Sequence, residues 1–164
     1  MKTSLKFTAV VFAAFMAATT TFAQEWTSAQ KEVWKVVQDS WVSWKAGDVQ
    51  GSTACIHEKY QGWSDDVPLP MSKENVTQFF QEMKNSLKVE SFMLLPARIL
   101  VTENAAVVDY YFWYEATYTT GEKKVSKESR GKNAEFYVRE GGKWLLLGDM
   151  TTHEKEENKE KEND

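Results

Sequence analysis

The sequence predicts an α+β domain, with helices first and an antiparallel meander after them. Three observations predict it. Apolar residues between Ser28 and Lys45 recur at helical intervals; four runs rich in strand-forming residues fill positions 89 to 151; and three short turn-forming stretches separate those runs.

The first helix carries its own signals. Thr27 and Gln30 have capping-box spacing, Val33, Val37, Trp41 and Trp44 form one apolar stripe, and Gly47 supplies the stop. Asp48 caps a second, short helix predicted over "VQGSTACIHEKY", which Gly51 and Thr53 weaken. In "YQGWSDDVPLP" the two prolines exclude helix and hold Val67 and Leu69 extended, so this stretch is a short strand followed by a loop. Ser72 caps a third helix running to about Leu87 that buries Val76, Phe79, Phe80 and Met83.

The four strands span about 89 to 102, 105 to 119, 123 to 139 and 143 to 151. Glu103-Asn104, Thr120-Gly121 and Glu140-Gly141-Gly142 are the reversals between them. Strands this long are usually bent, and Gly131 is the expected place for a bulge.

Both ends stand apart from this domain. Lys2 and Lys6 precede the apolar run "FTAVVFAAFMAA", and small residues follow up to Ala23. That three-part pattern predicts a signal peptide over residues 1–23, cleaved after Ala23, and a periplasmic or secreted protein. A membrane span would need roughly 20 apolar residues, so none is expected after cleavage. The domain then covers 24–152, and residues 153–164, "HEKEENKEKEND", form a charged, solvated tail.

Removing 23 of the 164 residues leaves 141, takes away two lysines and no acid, and moves the formal charge from −4 to −6. A chain of that length buries roughly 68% of its unfolded surface, so it needs neither disulfide nor metal to fold. Cys55 is the single cysteine and reads as a buried structural thiol. The acidic balance and the lack of a basic cluster exclude nucleic acid as a partner. No phosphate-cradling glycine loop occurs, so no cofactor is expected. His57 and His153 lie too far apart, without cysteine partners, to predict a metal site.

A long helix ending in "KAGD", a short helix, "YQGW", a third helix and a long-stranded meander ending in "REGGKWLLLGD" together resemble the nuclear transport factor 2-like superfamily, in particular its SnoaL-like branch of small bacterial proteins. The resemblance covers about residues 26 to 152. It implies a curved sheet wrapped against about three helices into a cone with a cavity. The superfamily includes isomerases, dehydratases, cyclases and non-catalytic binding or dimerisation domains, so it implies no single activity. Its best-understood chemistry, ketosteroid isomerisation, uses a carboxylate base with a tyrosine and a protonated acid as oxyanion donors. Counting from Gly47 and Gly142 puts that tyrosine at Ser40 and that acid at Ala134, neither of which can serve; only the base survives, at Ser64 or Asp65. Without those donors the isomerase reading fails.

The remaining catalytic candidates are Asp65, Glu115 and His57. Asp65 and Asp66 also read as turn formers, and on an extended chain adjacent side chains point apart, so they are not expected to share a site. His57 could serve as a base on the short helix, or simply pack there.

Period two divides the second meander strand into a set with Asp109, Tyr111, Trp113 and Glu115 and a set with Tyr110, Phe112, Tyr114 and Tyr118. The resemblance places the first set, with Asp149, in the cavity beside Trp41 and Trp63. A pocket of that composition suits a small apolar or aromatic ligand, and a carboxylate among aromatics has a raised pKa. The alternative puts Glu115 and Asp149 in water, or paired with Arg130 or Arg139. With the first set in the cavity, the tyrosine set forms an outer patch suited to a homodimer through the sheet.

Three functions stay open: a small-molecule-binding protein, a SnoaL-like lyase, isomerase or cyclase acting on an apolar carbonyl compound, and a non-catalytic dimerisation module.

Overall fold

A computed structural model describes residues 25–154. The expected signal peptide, and all of the expected tail beyond Glu154, lie outside the described residues. Helix α1 spans Ser28–Lys45, α2 Val49–Thr53 and α3 Lys73–Met83; the strands are β1 Ile56–Ser64, β2 Leu87–Val101, β3 Ala105–Thr120, β4 Lys123–Glu140 and β5 Lys143–His153. The α+β class holds, with three helices against one five-stranded sheet. No described helix is long and apolar enough to cross a membrane.

Local chemistry explains each helix end. Thr27 and Gln30 form the predicted capping box, and Gln30 also donates from Nε2 to the Ile99 carbonyl at 2.7 Å, so the same side chain that closes α1 fastens it to β2. The positive φ of Gly47, 71°, turns the chain out of α1, and Asp48 caps α2 through the Gly51 amide. Helix α2 stops after five residues, and Ile56–Tyr60, expected to be helical, begin β1 instead. Gly51 and Thr53 keep α2 weak, while Ile56 finds a strand partner in Leu146. Ser72 and Asn75 cap α3 with a second capping box. Of the residues expected to be buried there, Val76 is buried but Phe79 is 46% exposed.

The sheet order is β1-β5-β4-β3-β2, with β1 parallel to β5 and the other pairs antiparallel. Hairpins join β2 to β5 in sequence, and the glycines of the last turn, Gly141 and Gly142, both take the positive φ that a tight reversal demands. The bulge expected at Gly131 is absent: β3 and β4 pair without a shift from Ala105↔Val138 to Thr120↔Lys123. Gly131 has a different reason to lack a side chain, because a Cβ there would meet the Thr152 carbonyl oxygen and come within 2.7 Å of Phe112 Cζ. The β2–β3 and β1–β5 pairs shift register elsewhere, and between β4 and β5 a bulge lies at Leu147, between the partners of Tyr137 and Phe136. It reverses the facing of β5: Trp144 and Leu146 point in before it, Asp149 after it.

The core lies between α1 and the concave face. Val33, Trp34 and Val37 of α1 pack with Val108, Tyr110 and Phe112 of β3 and with Tyr137 of β4, all buried. Burying side chains of this size contributes about 1.5 to 3 kcal/mol each.

Candidate functional site

The division of β3 into two faces is observed, with the facing reversed from that expected. Tyr110 and Phe112 are buried beneath α1, whereas Tyr111 is 45% exposed on the convex side. Trp113 and Glu115 share that outer face; Trp113 Nε1 donates to Glu128 at 3.3 Å, and Glu115 accepts from the Ser126 hydroxyl at 3.0 Å. The aromatic content of β3 is too even for composition to tell the faces apart, and only the apolar stripe of α1 decides which one is covered. Trp63 is also largely exposed, its indole N–H bonded to the Val67 carbonyl. Of the expected lining, Trp41 and Asp149 face inward. Arg130 and Arg139, considered as partners for Glu115 and Asp149, pair with Glu154 and Glu32 instead.

The inner face holds a polar network that sequence reasoning missed. Glu135 on β4 is buried. Its Oε1 accepts from Tyr110 at 2.8 Å and from the Asn133 amide at 3.1 Å, and its Oε2 accepts from Tyr137 at 2.7 Å. Tyr110 also receives the Trp41 indole N–H at 3.1 Å and the Asn133 amide at 2.9 Å. Thr151 closes the group by donating to Asn133 Oδ1. Burial pushes the Glu135 carboxyl up to about 7 against the lowering effect of its tyrosine bonds, and the charge of Asp149 pushes the same way. Asp149 is raised by its own burial and accepts from Tyr60 at 2.7 Å. The count from Gly142 landed on Ala134, one residue short of Glu135. The period of Gly131, Asn133, Glu135 and Tyr137 on one face of β4 was the available signal.

Toward the open end of the cone the same face becomes a groove of about 370 Å³. Tyr114 and Tyr118 of β3 form one wall, with Lys127 and Ser129 of β4, and Asp66 and His153 lie at its rim. Burial raises the Tyr118 hydroxyl to about 12. Glu128, Arg130 and Glu154 complete the lining, which does not include Phe112 or Trp41. Phe112 and the His153 ring meet edge to face at 5.6 Å beneath it, and Trp41 packs on Phe112 and Tyr114. Aromatic rings thus fill the level at which an open apolar cavity was expected, and Glu135 lies below them.

Asp65 and Asp66 occupy a turn rather than an extended segment, so their side chains converge where they were expected to diverge. Asp65 Oδ1 lies 2.8 Å from His153 Nδ1, and Asp66 Oδ2 lies 3.1 Å from the same nitrogen. The His153 bond holds the Asp65 carboxyl below its usual range. His153, expected at the start of the tail, is the last residue of β5. His57 is on β1, 3.2 Å from Glu140 and remote from this cluster in the sheet. The Cys55 thiol is raised to about 12 by burial, as suits an inert structural cysteine.

No protein-family model matches the chain, and no curated protein matches it. Solved structures do. A conserved protein from Planctomyces limnophilus superposes with a TM-score of 0.71 at 16% identity, covering 77% of this chain and 97% of that one. A ketosteroid isomerase-like protein from Erwinia carotovora atroseptica gives 0.68 at 8% identity, covering 79% and 99%. An NTF2-like protein from Cytophaga hutchinsonii gives 0.63 at 11% identity, covering 78% and 100%. At such identities the likeness is one of fold. The helices, the strand order and these superpositions together give the chain the nuclear transport factor 2-like fold.

Proposed function

We propose that this chain is an exported small-molecule-binding protein whose ligand sits in the groove at the open end of the cone. The observation that carries the reading is the groove itself, whose volume of about 370 Å³ lies within the usual range for ligand pockets and whose walls combine two tyrosine rings with charged groups. Tyr114 and Tyr118 suit the flat apolar part of a guest, and Lys127, whose Nζ lies 5.9 Å from the Tyr118 ring centroid, suits an anionic part. The groove is also lined by Asp66, Glu128, Arg130 and Glu154, so the ligand class is a small aromatic compound with polar substituents rather than a purely apolar one. Export rests on the N-terminal pattern ending at Ala23.

Native mass spectrometry of the protein as secreted, followed by calorimetric titration with indole-3-acetate as probe, tests this. Binding should weaken about 10-fold in Tyr118→Ala, since an aromatic contact contributes up to roughly 1.5 kcal/mol beyond its buried area. Binding that Tyr118→Ala leaves unchanged would sink the reading, and turnover of a retained compound would move it to the lyase, isomerase or cyclase alternative.

A second observation favours self-association through the sheet. The convex face exposes Met93, Leu95, Tyr111, Phe136 and Met150, and the register sets Leu95 beside Tyr111. An exposed apolar patch of this kind suits a homodimer interface, on the face opposite the tyrosine set first expected to form it. Sedimentation equilibrium should report a dimer that Tyr111→Glu converts to a monomer.

A further inference from the structure

We propose that Asp65, Asp66 and His153 form a binding site for one divalent transition-metal ion at the rim of the groove. The three residues come from two separate segments, the turn after β1 and the end of β5, and offer one donor atom each within 4.8 Å of one another. In octahedral coordination, bonds of about 2.1 Å set neighbouring donors about 3.0 Å apart and opposite ones about 4.2 Å apart. The distances from His153 Nδ1 to the two carboxylates, 2.8 and 3.1 Å, match the neighbouring spacing.

The donors are also held in place from behind, as ligands of a metal site generally are. Asp65 Oδ2 accepts the His153 backbone N–H at 2.9 Å and the Asp65 N–H reaches the Thr151 carbonyl at 3.1 Å, which leaves Oδ1 directed at the imidazole. The edge of the ring-on-ring contact with Phe112 fixes the plane of His153. Two carboxylates converge on one ring nitrogen that carries at most one N–H, so a proton there bonds one of them where a metal ion binds both. The adjoining groove, lined by Asp66 and His153, leaves room for water to complete the coordination. An imidazole with two carboxylates suits Zn²⁺, Mn²⁺ or Fe²⁺ better than Ca²⁺ or Mg²⁺, which take oxygen ligands.

This proposal is independent of the ligand reading, since its test uses metal alone. Isothermal titration of Zn²⁺ and of Mg²⁺ into the full chain without an affinity tag is expected to show one Zn²⁺ per chain and much weaker Mg²⁺ uptake. Asp66→Asn and His153→Ala should each weaken Zn²⁺ binding about 100-fold, the upper end of what loss of even a supporting contact costs a metal site. Asp66 is well exposed and bonds only around this cluster, so Asp66→Asn keeps the test valid even if His153→Ala disturbs β5. His57→Ala, at the other histidine, should bind as the parent does. Absence of stoichiometric Zn²⁺ uptake, or uptake that Asp66→Asn leaves unchanged, would overturn the assignment and leave His153 as an imidazolium held between two acids.

Discussion

Glu135 and Asp149 are register partners on β4 and β5, both turned into the cone, Glu135 accepting from Tyr110 and Tyr137 and Asp149 from Tyr60. Described helices and strands put no cation between them. Burial raises both carboxyls, and the charge of Asp149 raises Glu135 further.

That arrangement fixes a pH dependence. The folded chain holds the Glu135 proton more tightly than the unfolded chain, so the resulting stability is complete below about pH 4.5 and is lost as pH rises to about 7. A displacement of that size corresponds to about 3 kcal/mol, and Asp149 acts in the same direction. Urea midpoints should therefore fall between pH 5 and pH 8. In Glu135→Gln most of that fall should vanish, and an equal slope in parent and variant would show that the network does not titrate as described.

The Trp41 indole and the Tyr110 hydroxyl join α1 to this network across 3.1 Å. Tyr110 keeps its Asn133 donor if the indole is removed, so the loss is one bond plus packing. A double-mutant cycle with Trp41→Phe and Tyr110→Phe, read by denaturant unfolding, should give a coupling of about 1 kcal/mol, the usual net worth of one hydrogen bond. Additive effects would mean that Trp41 acts through packing alone.

Much of the fold was legible from short-range signals. The box of Thr27 and Gln30, the Ser72 cap and the Gly-containing reversals each depend on neighbours a few residues apart, and each formed as expected. The facing of β3 was not legible in this way, because Tyr110 and Tyr111 differ only in which of them α1 covers. Nor was the convergence of Asp66 and His153, which depends on β1 lying parallel to β5 and bringing Ser64 opposite Thr151. Glu135 escaped notice for a narrower reason: an anchored count has an error of one residue, and on a strand one residue is the other face.

The convex surface gives a further expectation. Met93 and Trp113 are register partners there, and Met93 is 62% exposed. Met93→Lys should leave the unfolding midpoint of dilute protein within about 0.5 kcal/mol, as is usual for exposed sites, while lowering the concentration-dependent part of its stability. A dimer of unchanged strength in Met93→Lys would place the interface elsewhere on the sheet.

Gly62 and Gly131 both lie where a Cβ has no room, and the obstacles differ in kind. At Gly62 they are the Tyr60 hydroxyl and ring Cζ and Asp149 Oδ1, side-chain atoms whose movement breaks the Tyr60–Asp149 bond. At Gly131 the obstacle is the backbone carbonyl of Thr152 in the neighbouring strand, which cannot move without opening the β4–β5 ladder beside His153. Gly62→Ala is expected to lose about 1 to 3 kcal/mol, the range for overpacking a filled interior, with a smaller added loss in a Tyr60→Leu background, which removes both the hydroxyl and Cζ. Gly131→Ala should lose more, and no single side-chain truncation should restore it. Hydrogen exchange separates the two: faster exchange of the paired β4 and β5 amides is expected in Gly131→Ala, and its absence would show that the strands accommodate the methyl group by a shift of Phe112 alone.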